Sequence, residues 1–260
     1  MSTVPVSPRT HSPATPWLPF HAPKPQARLR LFCFPYAGAG ASAYRSWGQD
    51  LPAEVELCAV QYPGRETRVR EPAHERIEPI VEDAMRGLLP WLDRPFCFFG
   101  HSMGALVAFE LARRLASRES RAPLHFFASG HRAPPLAHLN KLRHDLPEDE
   151  FRRQMQSLDG TPQAALESPE LMDFIVPIVR ADCAVCDSYR HVDPTPLPCP
   201  ITVFGGADDV EARGEDIEAW RDFTRSGFSV RIFPGGHFFL QAERAQVLAA
   251  VSARLRELLD

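Results

Sequence analysis

Six short apolar runs, at residues 29–34, 55–60, 96–99, 124–129, 201–204 and 228–233, set the strongest limit on the fold. They are rich in Val, Ile, Leu, Phe and Cys, and as a set they lack the clean polar alternation of strands with one face in water. Strands of that composition are buried on both faces, as in a parallel sheet covered by helices on each side. Segments with helical character lie between them, at 42–51, 77–92, 104–117 and 217–224, and after the last, at 241–259. In the last, Ala245, Leu248, Val251, Leu255 and Leu258 recur at the three-to-four spacing of a helix with one buried face. The alternation predicts an α/β fold with a mostly parallel central sheet flanked by helices. A chain of 260 residues can enclose such a sheet in one large domain.

Two stretches depart from the pattern. Residues 1–27 begin with seven prolines in the first 25 positions, and Asp50 is the first acidic residue of the chain. The segment has no apolar core and too many prolines for an amphipathic helix, so a disordered tail is expected. Residues 134–192 carry no strand pattern but contain "LPEDEFRRQMQSL" and "SPELMDFIVPIVRADCAVCDSYR", both helical in character, the second interrupted by Pro177. That length is unusual for a simple crossover, and a helical insertion capping the sheet edge is expected. The core then comprises residues 28–133 and 193–260.

Charge and cysteine content exclude several classes. The formal net charge is −4, and no basic stripe with interleaved aromatics appears, so a nucleic-acid partner is not expected. No apolar run approaches the roughly 18 residues of a membrane span. Cys33, Cys58 and Cys97 fall inside strand-like runs, and Cys183 and Cys186 form a lone CxxC without a second pair spaced for zinc. Together with Cys199 they read as packing thiols, and no metal is expected.

The chemistry concentrates at "GHSMG", residues 100–104, which follows a strand and opens a helix. That context is the one in which GxSxG exposes a serine on a sharp turn. Ser102 is the candidate nucleophile, and the Met103 amide at the helix start is a candidate oxyanion donor. A serine hydroxyl needs a base and an orienting acid. His237, in "FPGGHFF" beyond the last strand, has the chain order expected of the base. "ITVFGGADDV" offers two carboxylates: a turn built on Gly206 presents Asp209, and one built on Gly205 presents Asp208. The small-residue loop "PYAGAG" after the first strand offers the Ala37 amide as second oxyanion donor.

Taken together, "RLFCFPYAGAGAS", "VQYPGRE", "FFGHSMGALVAFELAR", "SLDGTP", "LPCPITVFGGADD" and "RIFPGGHFFL" resemble the type II thioesterases that accompany polyketide synthases and nonribosomal peptide synthetases. The resemblance covers residues 28–259 and implies the α/β-hydrolase fold with a helical lid. It implies a Ser102–His237–Asp209 triad, the acid being chosen by counting back from Trp220, with Ala37 and Met103 as the oxyanion hole. Val210 stands where the family often has proline, which keeps Asp208 in reserve. The implied activity is hydrolysis of acyl thioesters from the phosphopantetheine arm of acyl or peptidyl carrier protein domains, with no cofactor of the enzyme's own. A cytoplasmic monomer is the expected setting. Rival readings are a small-molecule carboxylesterase or lipase, and a catalytically idle binding module. Met155, Leu158, Leu171, Phe174, Ile175 and Val179 are candidates to line the acyl pocket or pack the lid. Arg65 is read as a structural ion-pair partner, with a phosphate contact as the alternative.

Overall fold

The computed structural model describes residues 14–139, 143–157, 160 and 163–260. The strands are β1 (Leu29–Phe34), β2 (Val55–Ala59), β3 (Phe96–His101), β4 (His125–Ser129), β5 (Ile201–Gly206) and β6 (Phe228–Phe233). They form one six-stranded sheet in the order β2-β1-β3-β4-β5-β6, with every pair parallel. The helices are α1 (Ile77–Leu88), α2 (Met103–Arg118), α3 (Glu148–Ser157), α4 (Gln163–Leu166), α5 (Pro169–Ser188), α6 (Glu215–Glu218), α7 (Phe239–Ala242) and α8 (Arg244–Glu257). Among the described residues no helix is long and apolar enough to cross a membrane.

Successive strand residues feed two separate apolar layers. Phe32, Phe34, Phe98 and Phe126 join the layer under α1 and α2, while Leu31, Cys33, Cys97, Phe99 and Phe127 join the one under α8. Period-two side chains explain this directly: with both faces covered, every position of β1, β2 and β3 except Leu57 is buried, whereas β6, at the sheet edge, alternates and buries only Phe233, against the expectation of burial on both faces. The order of the sheet reverses between β1 and β3. Ligands of open α/β sheets bind outside the strand carboxyl ends at such a switch point.

Several boundaries differ from expectation. The segment at 42–51 is a 3-10 helix, Ala41–Gln49. The C-terminal helix is two, α7 and α8, separated at Glu243. Ala245 is exposed, and the buried stripe instead runs through Val247, Leu248, Val251 and Leu255. Pro177 does not interrupt α5, which continues through it from Pro169 to Ser188. Residues 14–27, expected to continue a disordered tail, pack on the body. Trp17 and Leu18 are buried, and the Trp17 indole fills the space where Gly87 has no side chain. His21 and the Lys24 amide meet Glu56 on β2. Residues 1–13 lie outside the described residues.

From 131 to 195 no described residue is in a strand. Helices α3 and α5 pack on one another through a small core of their own, including Phe151, Met155, Met172, Val176, Val179 and Cys183.

Candidate active site

Ser102 stands where β3 turns into α2, with φ 52° and ψ −125°. Positive φ is uncommon outside glycine, and this turn is enforced by its neighbours. A Cβ on Gly100 would lie 2.3 Å from the Gly104 carbonyl oxygen, and one on Gly104 would lie 2.1 Å from that of Phe34. Backbone occupies the space a side chain would need, so both positions require glycine. The Ser102 amide donates to the Ser129 carbonyl at 2.8 Å, and the Ala105 amide donates to the Ser102 carbonyl at 2.8 Å.

The candidate carboxylates and the histidine arrive on adjacent strand exits. Beyond the last paired residues of β5 and β6, the Ala207 amide donates to Phe233 (2.8 Å) and the Asp208 amide to Gly235 (2.9 Å). The Asp209 amide donates to the Gly206 carbonyl at 3.2 Å, so the turn is built on Gly206. That geometry separates the two carboxylates: Asp209 is fully buried, and Asp208 is exposed. Asp209 Oδ2 accepts from His237 Nδ1 at 3.0 Å, while its Oδ1 accepts the amides of Glu211 (2.8 Å) and Ala212 (3.3 Å). A carboxylate on Nδ1 fixes the proton there, leaving Nε2 as the acceptor for the Ser102 hydroxyl at 2.9 Å.

A cavity of about 480 Å³ opens over this relay, lined among others by Tyr36, Ala37, Ser102, Met103, His131 and His237. Met103 is the first residue of α2, and its amide therefore has no acceptor within the helix. Ala37 follows β1 and lines the same cavity. Of the expected pocket residues, Met155, Ile175 and Val179 line the cavity. Leu171 and Phe174 do not. They are 48% and 53% exposed, because the inward stripe of α5 runs through Met172, Val176, Val179 and Cys183. Leu158 and most of "SLDGTP" lie outside the described residues.

Two further histidines border the relay without belonging to it. His101 is buried, shares a 2.9 Å hydrogen bond with Ser129 Oγ, and sets its ring 5.3 Å from that of His237. Burial, assisted by His237, holds it well below the usual histidine range, so it is neutral. His131 donates from Nδ1 to the Arg132 carbonyl at 2.6 Å, and burial lowers it to about 4. The six cysteines are free and buried, and burial pushes the Cys183 and Cys186 thiols beside the cavity upward. His21, Glu56 and Cys58 converge closely enough to suggest metal ligands, but none lines the cavity, and Glu56 is already paired with Arg30.

Arg65 forms the ion pair expected of it, and its partner is one that sequence reasoning did not find. Both oxygens of the fully buried Asp182, on α5, meet the Arg65 guanidinium, with Nη2 2.7 Å from Oδ1. A carboxylate between Val179 and Cys183 on the apolar stripe was the available signal, since acids seldom enter a core without a partner.

The thioesterase domain family matches residues 29–255. GrsT, the gramicidin S biosynthesis protein of Aneurinibacillus migulanus, is 42% identical over 230 residues, covering 88% of this chain and 90% of its own length. RedJ, a thioesterase from the prodiginine biosynthetic pathway of Streptomyces coelicolor, superposes with a TM-score of 0.84 at 39% identity, covering 89% of this chain and 92% of RedJ. BorB, a type II thioesterase from the borrelidin biosynthetic cluster, superposes with a TM-score of 0.79 at 31% identity and the same coverages. With the sheet, the elbow and these likenesses together, the chain belongs to the thioesterase family of α/β-hydrolase type, as a type II thioesterase of nonribosomal peptide and polyketide pathways.

Proposed function

We propose that the enzyme hydrolyses acyl thioesters carried on the phosphopantetheine arm of acyl or peptidyl carrier protein domains, with Ser102 as nucleophile, His237 as general base and acid, and Asp209 as the group that orients His237. The observation carrying this reading is the Asp209–His237–Ser102 relay, with contacts of 3.0 and 2.9 Å, opening on a cavity at the sheet's switch point.

In the first half-reaction Ser102 Oγ attacks the thioester carbonyl carbon as its proton passes to His237 Nε2. The carbonyl π electrons move onto oxygen, and the Ala37 and Met103 amides are assigned as donors to that oxyanion. Collapse breaks the carbon–sulfur bond, and the pantetheine sulfur departs as thiol with the proton from His237. Water then gives a proton to His237 and attacks the acyl-serine, and the same steps release the free acid and restore Ser102. Asp209 orients the ring and stabilises the imidazolium formed in each half.

Residues 134–192 are proposed to act as a lid, with Met155, Ile175 and Val179 as its contribution to the cavity wall. The acyl chain lies there while the arm enters from solvent. Removing stalled or aberrant chains is the biological role that fits such a pocket. The free, buried cysteines suit a reducing compartment, in keeping with the cytoplasm, and a monomer is sufficient because every member of the relay comes from one chain.

Loading a carrier protein with a radiolabelled acyl group and following release by wild type and Ser102→Ala tests the assignment. Release should fall by about 10⁴-fold or more in the variant. A marked preference of the wild type for a simple oxygen ester over the carrier thioester would favour a carboxylesterase instead.

A further inference from the structure

The Arg65–Asp182 pair does more than join two segments. Asp182 Oδ2, besides meeting Arg65, accepts the Gly38 amide at 2.7 Å, and Gly38 directly follows Ala37. Arg65 Nη1 reaches back to the Ala39 carbonyl at 3.4 Å. The loop itself is a turn closed by the Ala39 amide on the Tyr36 carbonyl (3.0 Å), with Gly38 at φ +79°. Its far end is held by Gln61, whose Oε1 accepts the Ala41 amide at 3.0 Å. Helix α5 touches the same loop a second time: a Cβ on Gly38 would lie 2.7 Å from Val179 Cγ2, one turn before Asp182.

A buried ion pair gains little over well-packed apolar residues, because desolvation offsets most of the attraction. Stability alone therefore does not explain a carboxylate at this place on the apolar stripe. Its third hydrogen bond, to a loop amide beside the assigned oxyanion donor, gives it a specific task.

We propose that Asp182, oriented by Arg65, is a positioning residue for the oxyanion loop, tying the Gly38 peptide to the lid helix so that the Ala37 amide is presented when α5 is docked. The inference rests on the assignment of Ala37 as an oxyanion donor. It makes the lid part of the catalytic geometry: undocking of α5 releases the loop along with the pocket wall.

Asp182→Leu alone leaves Arg65 buried without its partner and puts folding at risk. The paired variant Arg65→Met with Asp182→Leu removes both charges and keeps apolar bulk, and is the decisive protein. The substrate is p-nitrophenyl butanoate, which reads the nucleophile and the oxyanion loop whatever carrier the enzyme prefers. Thermal unfolding of the paired variant should stay close to wild type, while kcat falls by about 10- to 100-fold and KM changes by less than about twofold. Inhibition by an alkyl trifluoromethyl ketone, which forms an oxyanion on Ser102, should weaken by the same factor as kcat. Binding of the thioether analogue of butanoyl-pantetheine should hold within about twofold. A folded paired variant with wild-type kcat overturns the proposal, as does equal weakening of the ketone and the thioether. Wild type that cleaves the p-nitrophenyl ester but ignores carrier thioesters would count against the carrier reading alone.

Discussion

At the scale of single residues, the site is decided by which atoms a turn leaves room for. Asp208 and Asp209 are neighbours with the same chemistry, yet only Asp209 is buried against His237, because the turn closes on Gly206. Asp209→Asn should lower kcat by about 10³-fold or more, since the amide no longer stabilises the imidazolium or fixes its tautomer. Asp208→Asn, on an exposed side chain, should stay within about twofold. Steady-state kinetics of the two variants side by side check the assignment, and equal losses would contradict it. Gly104→Ala places a methyl carbon 2.1 Å from the Phe34 carbonyl oxygen. Strand β1 or helix α2 must then move, and both activity and the melting temperature should drop. A folded, fully active Gly104→Ala protein would show that the elbow has more room than its geometry indicates.

At the scale of elements, α5 carries three duties on one helix. Its inward stripe packs the small core shared with α3, Ile175 and Val179 face the cavity, and Asp182 reaches the Gly38 amide on the loop after β1. Its start is capped by Ser168, whose Oγ accepts the Leu171 amide at 3.3 Å, with Pro169 as the first helical residue. Ser168→Ala should cost the helix start about 1 kcal/mol. Hydrogen exchange at the first turn of α5 should then quicken by about fivefold, with the sheet amides unchanged. An unchanged exchange rate at that turn would mean that packing, not the cap, sets its stability. The paired exits of β5 and β6 work in the same way, as one short ladder aligning Asp209 and His237 before either side chain contributes.

For the whole molecule, acid should be destabilising in a defined window. Burial holds His131 at about 4 and, with help from Arg254, His125 at about 3, against an ordinary 6.5. Between those values the unfolded chain binds more protons than the folded one, so stability is complete above pH 6.5 and is lost as the pH falls. His131 alone accounts for up to about 3 kcal/mol across its window. Glu56 adds a lower step. Burial would raise its carboxyl, but the neighbouring His21 ring, the Arg30 guanidinium and the Lys24 amide outweigh that and hold it at about 2, so its contribution fades from 4.5 downward. The melting temperature should therefore fall steadily from pH 7 to pH 4. His131→Asn, which keeps a donor for the Arg132 carbonyl, should show a shallower fall. A flat profile in the wild type would mean that these histidines become charged without unfolding the protein.

Strand composition, the glycines of GHSMG and the order serine, acid, histidine already determined a parallel α/β sheet and the residues at its relay. Each is a local property: burial on two faces needs continuous apolar runs, and a strained turn needs glycine where backbone meets backbone. Only the tertiary structure distinguished Asp209 from Asp208 by geometry, because a one-residue shift in a turn leaves no trace in composition. The same holds for Trp17, read as tail but seated beside Gly87, and for Leu171 and Phe174, which share the helix but not its inward face. Asp182 is the sharpest case. Its partners lie 117 and 144 positions away along the chain, and a pairing over that span is set by how the layers pack, which no local pattern encodes.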